Sequence, residues 1–324
     1  MKKLRQLFVL ICLVSLFMSG CGSSGGETSQ ASSDPDETAS ESSAQTDTSE
    51  ETASRKTLTS CPMPEAPGTE VCEEETGAVD SSNSSEGYIA ARYTGEADEA
   101  KVQIDDPSGN TYTYDLFDSD YAFFPLTGGD GAYTVTLLEH AYGDMYAMVL
   151  TTDLTVAIKN EFSPFLYPNQ YVDYAENDTV TAFGRDLSDS SADDLDYLTK
   201  VYHYVVENVT YDTEKAAEVT AGYLPDNEET LKNGTGICFD YASLMSALLR
   251  SQGIPTRLEI GYSGEAYHAW ISVYLEESGW IDNIISFDGK SWVLMDPTLA
   301  AANGAENIGD YVNDSSNYRE LYCY

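Results

Sequence analysis

Hydrophobic positions repeat with a clear period only after Tyr88, and two different periods follow one another there. Between Tyr88 and Ile158, short apolar runs at 88–94, 100–104, 111–116, 132–138, 146–150 and 155–158 are separated by polar turn formers. Within the fourth run, Tyr133, Val135 and Leu137 alternate with Ala132, Thr134 and Thr136, the period of a strand with one buried face. Asp106-Pro107-Ser108-Gly109-Asn110 and Gly128-Gly129-Asp130-Gly131 are turn signals. Six strands at this spacing predict a small all-β sandwich over 88–160. It carries no visible chemistry and reads as a spacer or substrate-docking module.

From residue 161 onward the period changes. Leu195, Leu198, Tyr202, Val205, Val206 and Val209 fall on one face of a helix, with His203 beside the stripe. Ile237, Tyr241, Leu244, Met245, Leu248 and Leu249 mark a second, more deeply buried helix over 237–251. Gly234 and Gly236 break the chain before it, and Gly253 with Pro255 stops it. Two strand-like runs follow at 256–262 and 266–275, and a third at 291–296 after the turn Asp288-Gly289-Lys290. The expected class is α+β, a helix packed on antiparallel strands, for a domain over 161–324.

The first 87 residues have neither period. Lys2, Lys3 and Arg5 precede an apolar stretch from Leu7 to Met18, the pattern of a signal peptide over 1–20. That stretch is too short to span a bilayer, for which about 20 residues are needed. Met18-Ser19-Gly20-Cys21 resembles a bacterial lipobox, which makes Cys21 the expected lipidation site and the membrane-bound N-terminus of an exported protein. Met18 stands where such motifs usually have Leu. Residues 21–87 contain no Phe, Tyr or Trp and 15 acids against Arg55 and Lys56, and so read as a disordered, self-repelling acidic tether. Cys61 and Cys72 lie within it, placed so that a small disulfide loop could form outside the cytoplasm.

Charge narrows the partners. Against 16 Lys and Arg stand 55 Asp and Glu, a formal net charge of -39 over 324 residues. Nucleic-acid binding rests on cations neutralising phosphates, so no nucleic-acid partner is expected. The three His are scattered, no Cys/His spacing suits zinc, and no calcium loop or phosphate-cradling glycine motif occurs, so no cofactor or metal is expected.

Candidate chemistry gathers at Cys238. The first turn of a helix stabilises an anion, and the thiolate is the nucleophilic form of a cysteine. His268 lies about 30 residues on in a strand, and Asp296 about as far again at the end of the third run. The three could meet as nucleophile, base and orienting carboxylate. By strand alternation His268 shares a face with Trp270 and Ser272, and Asp296 with Trp292 and Leu294.

The blocks Gly236-Ile237-Cys238-Phe239-Asp240-Tyr241-Ala242, Gly253-Ile254-Pro255-Thr256-Arg257 with Gly261-Tyr262, His268-Ala269-Trp270, and Trp292 followed by Asp296-Pro297-Thr298 resemble the transglutaminase-like superfamily. The resemblance covers about 165–310, and the whole chain looks like a bacterial surface lipoprotein with such a core. It implies a papain-like fold, with the cysteine helix on an antiparallel sheet bearing His and Asp. It implies Cys238 as nucleophile, His268 as general base and acid, and Asp296 as the orienting residue. The implied chemistry is acyl transfer or hydrolysis on a peptide or protein amide of the cell envelope, through a thioester. The Cys238 N–H is one expected oxyanion donor, and Tyr202, Tyr211 and Trp270 are candidates for the second. The competing expectation is a non-catalytic binding or scaffold protein that keeps the fold. Cys323 reads as packing, a reference thiol beside the candidate nucleophile.

Overall fold

Alternation after Tyr88 does produce strands, but the sheets begin earlier than the aromatic residues do. The computed structural model describes residues 55–117, 119–281, 286–287, 292–293 and 318–324. Strands β1 (Val71–Glu74), β2 (Gly77–Asp80), β3 (Tyr88–Tyr93), β4 (Ala100–Asp105), β5 (Thr111–Leu116), β6 (Ala122–Pro125), β7 (Gly131–Tyr142) and β8 (Met145–Val156) build two antiparallel four-stranded sheets. Their orders are β1-β2-β3-β6 and β5-β4-β7-β8. Inward residues interleave between them: Val79, Ile89 and Ala91 from one sheet, Val102, Ile104, Val135 and Leu137 from the other, all buried. The runs expected at 146–150 and 155–158 are one strand, β8, because its register with β7 continues through Thr151–Asp153.

The tether expected through residue 87 is corrected for 55–87, which is part of the fold. Strands β1 and β2 complete the first sheet, and Gly77–Asp80 is wholly buried. The Asp80 carboxylate holds the segment by accepting from Gly68 N at 2.8 Å and Ser82 N at 2.9 Å. Farther back, Arg55 donates to Asp194 Oδ1 at 2.6 Å and lies over the Tyr197 ring, 4.6 Å from its centroid. Cys61 and Cys72 do not close a disulfide. Both are free thiols, and Cys61 Sγ donates to Glu176 Oε2 at 3.0 Å. Cys21 lies outside the described residues.

Beyond a 3-10 turn at Ser163–Phe165 come α1 (Thr179–Asp189), α2 (Asp194–Asn208), β9 (Thr210–Tyr211), α3 (Thr213–Glu218), α4 (Asn227–Asn233), β10 (Thr235–Gly236) and α5 (Cys238–Ser251). Asp178, Asp193, Asp212 and Asp226 cap α1 to α4, each accepting from a first-turn N–H. Helix α5 is buried along nearly its whole length because α1, α2 and α4 flank it and β11 (Thr256–Ser263) and β12 (Ala266–Leu275) cover its remaining face. With β13 (Gly279–Ile281) and β16 (Tyr318–Cys323) these strands form an antiparallel sheet ordered β13-β12-β11-β16. A short pair, β14 (Ser286–Phe287) and β15 (Trp292–Val293), stands apart. The α+β arrangement of a cysteine-bearing helix on an antiparallel sheet is therefore present.

Sandwich and helical part belong to one compact unit, 51–324. Tyrosines join them: Tyr112 packs edge-on against Tyr322 and Tyr324 at 5.7 and 5.6 Å, and Tyr114 lies 5.8 Å from Tyr171. Thr127 Oγ1 donates to the Cys323 carbonyl at 2.9 Å. Arg250, with no exposed surface, holds the same seam from behind, donating to the carbonyls of Thr256, Tyr167 and Tyr324 at 2.8, 3.0 and 2.5 Å.

Candidate active site

Cys238 is the first residue of α5, and the way that helix starts leaves its first turn open. The N-cap is Ile237, with no side-chain oxygen to give, so no side chain caps the first-turn N–H groups. The cap is made from the other side. Asp240 reaches back from the third position and accepts from Ile237 N at 2.7 Å. Fully buried, Asp240 also accepts from Lys215 Nζ at 2.8 Å and from the Tyr223 hydroxyl. A side chain at Gly236 would put its Cβ 2.6 Å from the Asp240 Cβ, so glycine there keeps this carboxylate in place.

Those bonds fix one wall of a cleft. Lys215 belongs to α3 and sits 4.6 Å over the Tyr223 ring, so the loop 219–223 is drawn down toward the start of α5. Parallel pairing of β9 with β10 sets Tyr211 beside Gly236, two residues from Cys238. The opposite wall is β12, where His268 is 9% exposed and stacks on Trp270 at 6.2 Å and 26°. Tyr171, which ends the third wall with Tyr322 and Tyr324, packs 5.7 Å from Phe239.

Between these walls lies a cavity of about 550 Å³, and both Cys238 and His268 line it. Of the three candidate second oxyanion donors, Tyr211 lines the cavity, whereas Tyr202 and Trp270 are buried in the core at 3% and 2% exposure. Asp296 lies outside the described residues. Burial pushes the Tyr171 hydroxyl up to about 12. Burial raises Tyr223 as well, reinforced by its bond to Asp240, and it raises Tyr267 and Tyr324. These phenols are therefore neutral near pH 7, and among the described residues no Asp, Glu, Lys or Arg lines the cavity. A thiol, an imidazole, open helix amides and hydroxyl donors gathered in one cleft are groups suited to addition to a carbonyl.

Two contributors had no clear signal in the sequence. The loop 219–223 is held by a capping carboxylate shared with a lysine, and neither residue type stands out in an acidic chain. Thr111 and Thr113 of β5 also line the cavity, so the sandwich supplies part of the cleft.

Residues 181–297 match the transglutaminase-like superfamily. The uncharacterized protein YebA of Bacillus subtilis is 24% identical over 212 residues, 57% of this chain and 26% of YebA. A UPF0252 protein of Methanocaldococcus jannaschii is 29% identical over 93 residues, 25% of this chain and 26% of its own. The chain thus spans about a quarter of the length of each of these relatives. Among solved structures, the periplasmic domain of TgpA from Pseudomonas aeruginosa is similar over 73% of this chain and 99% of that one, at 12% identity and a TM-score of 0.32. Red sea bream transglutaminase is similar over 65% and 48%, at 11% identity and a TM-score of 0.28.

Proposed function

Because residues 181–297 match the transglutaminase-like superfamily, we propose that the cleft is an acyl-transfer site for peptide or protein amides. The carrying observation is that Cys238, at the start of α5, and His268, on β12, line one cavity. Cys238 Sγ adds to the amide carbonyl, and the resulting oxyanion is met by the Cys238 N–H and the Tyr211 hydroxyl. His268 takes up the thiol proton and gives it to the departing amine or ammonia, leaving a thioester. Water or a second amine then attacks the thioester, His268 takes a proton from it, and Cys238 leaves as the thiol. Asp296 orients the imidazole in this scheme.

The reading includes an exported enzyme anchored by lipid at Cys21, with the acidic segment holding it off the membrane. Its support is the sequence of the first 54 residues.

Alkylation of the purified chain by iodoacetamide, followed at each cysteine by peptide mass spectrometry between pH 5 and 9, tests the catalytic core. Cys238 is expected to react well below pH 8 and Cys323 not to react, with His268→Ala removing the low-pH reactivity. A Cys238 no more reactive than Cys323 leaves a binding protein in place of an enzyme. Where a substrate is in hand, His268→Ala lowers turnover about 10²- to 10⁴-fold.

A further inference from the structure

Strand β5 lies at the edge of its sheet, in the order β5-β4-β7-β8, and two of its residues line the cleft beside Cys238 and His268. Which peptide groups face outward follows from the register. At the β4–β5 turn Asp106 N donates to Asn110 O at 2.9 Å, and the antiparallel alternation then makes Ile104–Tyr112 and Val102–Tyr114 the hydrogen-bonded pairs. The N–H and C=O groups of Thr111, Thr113 and Asp115 therefore point away from β4. Thr111 and Thr113 are the two residues of β5 in the cleft. Among the described residues no backbone hydrogen bond reaches that outer side. Such an edge is a template for another chain, and here it is stiff, because Tyr112 and Tyr114 are buried in the aromatic seam on the inner face.

Resting on the acyl-transfer reading of Cys238, we propose that the substrate is an extended polypeptide segment that adds as a strand to the outer edge of β5, with Lys or Arg in its flanks. Backbone bonds to Thr111 and Thr113 hold the segment, and alternate side chains turn toward the cleft. Among the described residues no Asp, Glu, Lys or Arg lines the cavity, and an uncharged residue of the segment is the one that enters it. Outside it the flanks meet a protein of net charge -39, which favours cations.

The test uses the full chain and five-residue peptides ending in a chloromethyl ketone, whose chloride Cys238 displaces to form a thioether. Labelling is read by intact mass. One lysine-flanked peptide is compared with versions N-methylated at each backbone position in turn, and iodoacetamide reports thiol reactivity alone. Methylation at one or more positions is expected to slow labelling about tenfold, the loss of roughly one hydrogen bond. Thr113→Pro removes an outward N–H without touching the β4 ladder, a place where an edge strand accepts proline. It removes the bond from Thr113 N–H to a peptide carbonyl and is expected to slow the parent peptide by a similar factor, with iodoacetamide labelling of the variant used to normalise for any change at the thiol itself. The N-methyl series in the unaltered chain stands even if that variant does not fold.

Methylated peptides that all label at the parent rate overturn strand addition while leaving the Cys238 reading intact. A glutamate-flanked peptide that labels as fast as the lysine-flanked one overturns the basic occupant. If Cys238 reacts with neither peptide nor iodoacetamide, the catalytic reading fails, and this inference with it.

Discussion

Gly261 stands directly across the β11–β12 ladder from His268, and a Cβ on it would lie 2.1 Å from the Arg319 carbonyl oxygen of β16. The register between β11 and β16 shifts at the same point, between Ile260 and Gly261. The strand behind the histidine can therefore come this close only because residue 261 has no side chain.

Gly261→Ala is expected to push β16 away and to cost about 1–3 kcal/mol, the usual range for forcing atoms into a packed site. Urea denaturation reads the stability. Iodoacetamide labelling of Cys238 reads the site, and its low-pH rate is expected to fall with the displaced imidazole.

Asp240→Asn keeps the shape of a side chain with three donors around it but removes its charge. The amide can accept from fewer of them, and Lys215 loses its ion partner. A loss of about 1–3 kcal/mol is expected, with greater protease sensitivity in 212–226 than elsewhere. Equal protection of that segment in variant and parent would show that the cleft wall is held by other contacts.

Cys61 gives a pH dependence whose sign can be worked out. Burial, aided by the bond to Glu176, pushes its thiol from the usual 9.0 up to about 12. The folded state therefore holds this proton more tightly than the unfolded chain. Its contribution is complete below pH 9 and is lost as the pH climbs toward 12. Thermal melts of the parent are expected to fall more steeply over that window than those of Cys61→Ser, which keeps a donor to Glu176 without an ionising thiol. At pH 8 Cys61 stays unalkylated in the native state.

Arg250→Lys replaces a planar fork that serves three carbonyls with a single ammonium. Burial already holds the guanidinium at about 10, below its usual 12.5, so the site gains from donors spread over a delocalised cation. With two carbonyls left unmatched at roughly 1–3 kcal/mol each, calorimetry is expected to show a lower melting temperature even though the net charge is unchanged.

The sequence announces those parts of the fold in which large apolar residues recur at one period. Helix α5, with Leu244, Met245, Leu248 and Leu249, and strand β12, with Trp270, Ile271 and Val273, could be read directly, and with them the positions of Cys238 and His268. Strand β2 could not. Its residues, Gly77, Ala78, Val79 and Asp80, are small or charged, and they are buried because Leu137 and Val149 of the facing sheet press against Gly77. Acidic neighbours made 55–87 resemble a solvated chain, although Asp80 and Arg55 spend their charge on specific partners. Tyr211 and Thr113 enter the cleft by way of pairing partners and an edge position, and neither follows from local pattern.

The seam at Tyr324 also sets an order of events during synthesis. Strand β16 completes the sheet against β11, while Tyr322 and Tyr324 supply the aromatic surface on which Tyr112 rests. Contacts such as Thr127 with Cys323 join positions 196 residues apart. A nascent chain can close the sandwich early, yet the cleft lacks a wall until residues 318–324 have emerged, so the candidate nucleophile waits in an unfinished site while the stretch from 239 to 318 is made.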